Sequence, residues 1–132
     1  MIRLIVRVAA GGLALADGMI HASVLHDHFR AALYMGILFV FAIVFLSMLG
    51  LAMVQPLTED AAELPGRLMR AAGVALMAGL IAGYLITRTV GLPGFAQPWD
   101  DLGLSTLAIE FLIAVLLLAE MPVASASQHR HA

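Results

Sequence analysis

The chain has 132 residues, 62% of them hydrophobic and only 12% charged, with a net charge of −2 and a mean hydropathy of +0.99. A soluble domain carries about 25% charged residues, so this composition points to lipid, leaves little room for a separate soluble domain and offers nucleic acid no basic surface. The absence of cysteine excludes disulfides, thiolate metal sites and cysteine nucleophiles.

Four apolar runs follow one another. The first, residues 8–25, starts behind Arg3 and Arg7 and is rich in small residues, among them Ala10, Gly11, Ala14 and Gly18. Its opening, "MIRLIVRVAAGGLALADG", also has the basic start, short apolar core and Ala-x-Ala ending at Ala16 of a secretory signal. Because the apolar run continues to Leu25, an uncleaved span is the favoured reading. The second run, 31–54, is bulky ("ILFVFAIVFL") and closes at Gln55-Pro56. The third, 68–90, is again small, with Gly73, Ala75, Ala78, Gly79, Ala82 and Gly83, and ends at "GLPG", residues 91–94. Gly79 and Gly83 make a GxxxG, which predicts close helix packing inside the bundle. The fourth, 102–121, is bulky and stops at Pro122.

Each run approaches or exceeds the ~20 residues that cross a bilayer core as a helix, and helices are required because lipid cannot satisfy open backbone groups. The predicted fold is an all-α integral membrane protein: an antiparallel four-helix transmembrane bundle in one domain, 1–123. The tail "ASASQHRHA", 124–132, reads as disordered. Arg3, Arg7, Arg67, Arg70 and Arg130 fall on one side of the alternating topology, and Arg30 and Arg88 with Asp27, Asp100 and Asp101 on the other. Arginine-rich short segments stay cytoplasmic, which puts both termini inside a multi-pass protein of a bacterial inner (plasma) membrane. "HDHFR" and "GLPGFAQPWDDLG" are then outer loops, with Trp99 at the interface.

Polar residues four apart share a helix face. Asp17 and His21, Arg30 and Tyr34, Tyr84 and Arg88, and Thr106 and Glu110 are such pairs, and the topology puts all of them in the outer half of the membrane. A charge at the bilayer centre costs about 2.5–3.5 kcal/mol on insertion scales and usually faces inward, paired. Asp17, His21, Tyr34, Tyr84, Arg88 and Glu110 are therefore the candidate residues of a ligand-binding or proton-handling pocket. Taken singly, the arginines also read as snorkelling side chains, the tyrosines as interface anchors, and the carboxyls as interhelical glue worth about 0.6 kcal/mol per hydrogen bond.

Two chemistries fit this set. If span one continues through the loop, His21 and His28 share a face with Asp17, and with His26 nearby these histidines are candidate metal ligands suited to zinc, copper or non-haem iron. Alternatively, His21, Tyr34, Tyr84 and the arginines hold a quinone or similar lipophile while Asp17 or Glu110 takes protons. No serine or threonine nucleophile is paired with a base, so no catalytic motif is present. The stretches "MIH" (19–21), "GYLITRTVGLPGF" (83–95) and "AIEFLIAVLLL" (108–118) resemble small four-span membrane proteins of high-GC bacteria, a type with no established activity to transfer. The resemblance supports the topology. It does not extend to His26 and His28, where the more basic or aromatic stretch of that type is replaced by "ASVLHDHFRAALY".

The functional expectation is a ligand- or metal-binding protein or accessory subunit of a larger membrane complex. The alternative is a small proton-coupled transporter acting as an oligomer. The inner half of span one, "VAAGGLALA", offers no polar route across the membrane and favours binding.

Overall fold

The computed structural model describes residues 1–55 and 63–120. Pro56, Pro122, Arg130 and the tail 124–132 lie outside the described residues. Four helices make up the fold: α1 (Ile2–Ala31), α2 (Leu33–Val54), α3 (Glu63–Thr89) and α4 (Asp101–Ala119). All four are long and apolar enough to cross a membrane. There is no strand among the described residues, only an isolated bridge between Leu92 and Phe95.

Helix α1 is longer than the first apolar run predicts, because it absorbs "HDHFR". Nothing between Met19 and Ala31 is a glycine or proline, so no residue there resists a helix. The chain reverses instead at Ala32 alone, whose backbone is extended (φ −158°). The Ala32 N–H donates to the His28 carbonyl at 3.0 Å, and its own carbonyl accepts from Gly36 N–H at 3.2 Å. A Cβ on Gly36 would fall on the Phe29 ring, so glycine is what lets this corner close.

The α3–α4 connection is built by its glycines and proline. Leu92 and Phe95 exchange backbone hydrogen bonds of 2.7 and 2.8 Å around Pro93-Gly94. Gly94 has φ +72°, the left-handed backbone that the second central residue of a type II turn needs, with proline favoured just before it. Gly91, at φ +80°, terminates α3 in the same way.

Packing divides the molecule into two unlike halves. Near the end where Arg7 donates to the Gln55 carbonyl at 3.1 Å, the helices close around Ala10, Ala14, Leu46, Leu49, Met53, Met77, Ile113 and Leu117. Helices α1 and α2 touch backbone to backbone there: a Cβ on Gly11 would lie 2.9 Å from the Gly50 carbonyl, and one on Gly50 equally close to that of Gly11. Gly73 similarly admits Leu49 and Leu117. Between lipid-bathed helices such van der Waals fit, not water exclusion, is the main attraction.

Toward the Phe95 end the bundle does not close. Helices α2 and α3 touch far less than α1 and α2 do. The GxxxG glycines that were expected to pack against a helix have nothing within 4 Å of their Cβ positions, because small α3 residues face the gap. The outside is apolar, with Phe41 56% and Phe111 64% exposed, whereas Asp17 and Glu110 are 0% and 2% exposed. That inside-out distribution suits a chain whose surroundings are hydrocarbon, and the apolar helices imply contact with a bilayer.

Candidate functional site

The gap is a cavity of about 680 Å³ that reaches all four helices. Along α3 its wall runs from Arg88 down to Ala75, and along α2 from Met35 to Phe45, roughly 20 and 15 Å at 1.5 Å per residue. Its buried end is polar: His21, Thr106 and Glu110 line it. Its sides are apolar and partly aromatic, with Phe39, Phe41, Phe45, Leu76 and Leu80.

Asp17 and His21, four apart on α1, meet Glu110 of α4. His21 Nδ1 donates to the Asp17 backbone carbonyl at 3.0 Å and lies 3.5 Å from Asp17 Oδ1. A carbonyl only accepts, so Nδ1 carries the proton and Nε2 is turned toward Glu110, 3.9 Å from its Oε1. That separation is too long for a hydrogen bond. Glu110 Oε2 and both Asp17 carboxylate oxygens are buried with no hydrogen-bond partner. Asp17 sits behind His21 and does not line the cavity, whereas His21 and Glu110 do.

His28 repeats the arrangement one layer further out. Its Nδ1 donates to the Val24 carbonyl at 2.9 Å, and its ring stacks on Phe39 at 3.7 Å. His21 packs on the same Phe39 at 5.1 Å, so a phenyl ring keeps company with both imidazoles. His26 is exposed, away from the buried pair. No group of three or more His, Asp or Glu side chains among the described residues is gathered closely enough to hold a metal ion.

Tyr84 and Arg88 form the outer wall. The Arg88 guanidinium lies over the Tyr84 ring at 4.2 Å and donates to Thr87 Oγ1 and Asp100 Oδ2, both at 2.8 Å. Asp100 Oδ1 also accepts from Gly103 N–H at 2.6 Å, so one carboxylate caps α4 and ties it to α3. The Arg88 bond first, then the Gly103 N–H, holds the Asp100 carboxyl below the usual aspartate range. A Cβ on Gly103 would fall on the Tyr84 ring, which seats against α4 with its hydroxyl buried and unpartnered.

Tyr34 stands apart. It is exposed and donates to the Pro93 carbonyl at 2.8 Å, bracing the α3–α4 turn outside the cavity. Arg30 is exposed too. Sequence spacing brought out neither Phe39, which looks like any apolar residue of α2, nor Asp100 as the partner of Arg88. The signal for Asp100 was present, since an aspartate just before an apolar run is a helix N-cap.

No known protein family, curated protein or solved structure matches the chain.

Proposed function

We propose that this is a membrane-embedded binding protein whose cavity, opening to the outer side of a bacterial inner membrane, holds a small organic ligand, the chain serving as an accessory subunit of a larger membrane complex. In this reading the bundle is antiparallel, both termini are cytoplasmic, and the chain is akin to the small four-span proteins of high-GC bacteria. The observation that carries it is Glu110 Oε2, buried without a hydrogen-bond partner at the polar end of an apolar cavity. A buried polar atom left unmatched costs about 1–3 kcal/mol, and a ligand hydroxyl or carbonyl would supply the match. A volume near 680 Å³ lies within the ~300–1,000 Å³ of small-molecule sites. The separation of His26 from His21 and His28 favours an organic ligand over a metal ion.

Proton-coupled transport is the competing function, and the packed half speaks against it. A route past Glu110 would have to cross Leu46, Met77, Ile113 and Leu117, all fully buried. Reconstitution into proteoliposomes under an imposed membrane potential, with a trapped pH dye, separates the two. Binding without transport leaves proton flux at the protein-free level. Flux that depends on the protein and disappears in Glu110→Gln would establish the transporter instead.

A further inference from the structure

Resting on the reading of the cavity as a binding site, the geometry points to the class of its ligand. We infer that it takes a neutral, quinone-type lipid: a planar ring bearing carbonyl or hydroxyl groups, with its hydrocarbon tail lying between α2 and α3. This ligand would reach the cavity sideways from the bilayer midplane.

The depth of the polar end is the first support. Glu110 is the central residue of α4, Asp101–Ala119, about 14 Å along the helix from its start at 1.5 Å per residue. Half of a ~30 Å hydrocarbon core is the same distance, so the carboxyl stands near the middle of the bilayer. Lipids with charged or zwitterionic heads keep those heads at the surface, because a charge at the centre is costly. Only a lipid with a small uncharged head resides at this level.

The lateral gap is the second. Phe41 and Phe45 of α2 line the cavity and are each about half exposed, at 56% and 51%. Opposite them on α3, Ala75 and Gly79 line it and are also exposed. The Cβ direction of Gly79 meets no atom within 4 Å. Cavity wall and outer surface are thus the same residues here, and the space between them is open to a tail.

Charge and shape select the head. The polar end holds the carboxyls of Asp17 and Glu110 and the imidazole of His21, with distances of 3.5 and 3.9 Å between partners. Arg88, a cation in the wall, is already held by Asp100. An anionic head would therefore face the Glu110 carboxyl, with that of Asp17 behind His21, and no free cation among the described lining residues. The cluster carries no net charge when two protons are shared among His21 Nε2 and the two carboxyls. In that state it presents both a donor and an acceptor to the cavity, a match for ring carbonyls or hydroxyls. Phe39 and Tyr84 in the lining offer faces and edges to a planar ring.

The test uses the full chain in lipid nanodiscs and a dimethoxy-methyl-benzoquinone, with and without a decyl tail, titrated onto wild type, Gly79→Leu and Glu110→Gln. Wild type should bind both saturably, the tailed form at least about tenfold more tightly. Gly79→Leu fills open space at the gap and should remove most of the advantage of the tail while leaving the tailless form within about twofold. Glu110→Gln should weaken both. Equal affinity for the two forms, or equal loss of both in Gly79→Leu, would overturn the lateral tail site while leaving the cavity a binding site. A tailed quaternary ammonium that binds where neither quinone does would overturn the neutral head and leave the cavity reading standing. Failure of all three probes, with Glu110→Gln indistinguishable from a folded wild type, would sink both.

Discussion

Asp100 shows how much one side chain settles at this site. Its two oxygens serve different helices, one accepting from Gly103 N–H and the other from Arg88. Asp100→Ala should lower stability by about 1 kcal/mol through the lost cap alone, read as a thermal transition in detergent. The Arg88 side chain is only 8% exposed, so the loss of its carboxylate partner should add to that cost. Because the folded state holds the Asp100 carboxyl below its usual range, its contribution is fully present above about pH 4. It should be lost as the pH falls below that, and Asp100→Asn should flatten this acid limb of a stability profile. The buried residues carry more. His21→Ala would leave Asp17 and Glu110 without their shared neighbour and should cost on the order of 3–5 kcal/mol, as for other broken buried pairs. Asp17→Asn combined with His21→Ala should cost clearly less than the two separate losses added, since the second change removes a carboxylate already stranded by the first. Strict additivity in that cycle would show that the pair is not coupled. At this scale the sequence was legible where chemistry forces proximity: an ionisable group inside a span needs a partner, and spacing by four named it for Asp17 and His21. Tyr34 and Tyr84 looked alike for the same reason, and only the turn at Pro93, a tertiary feature, draws Tyr34 away.

Among the helices, glycine has two opposite uses. Gly11 and Gly50 let α1 and α2 meet at their backbones, and a side chain on either would collide with the carbonyl of the other. Gly79 and Gly83 meet nothing. Gly50→Val should therefore destabilise the bundle by about 1–3 kcal/mol, whereas Gly79→Ala should be neutral or slightly stabilising; equal melting shifts for the two would contradict this division. In the sequence the two sets of glycines are indistinguishable, because small residues at helical spacing state only that close approach is permitted. What they approach depends on the tilt of the neighbouring helix. The four spans themselves were plain from apolar length, but the end of α1 was not. Polar "HDHFR" reads as a loop when polarity is taken as a sign of surface loops, yet no backbone breaker is present, and the helix continues to Ala31.

The whole molecule is a bundle closed in one half and open in the other, and its buried polar residues, Asp17, His21, His28, Thr87, Thr106 and Glu110, lie toward the open half. Composition made the membrane class evident, and the arginines are the basis of the proposed orientation. The cavity was not legible, because it follows from how little α2 and α3 touch, and no residue pattern records that distance. The orientation implies that reporter fusions at the N-terminus and C-terminus are both active in the cytoplasm and inactive outside it. A fusion at the α3–α4 loop should show the reverse. The proposed function is that the half lined by His21 and Glu110 holds a small molecule. Its most direct test is the organic and metal content of the full chain purified in mild detergent with total membrane lipid extract present, measured by mass spectrometry and elemental analysis beside Glu110→Gln. A single organic molecule retained near one per chain in wild type and lost in the variant is the expected result. A folded wild type that retains nothing, and melts at the same temperature as Glu110→Gln, would contradict the claim.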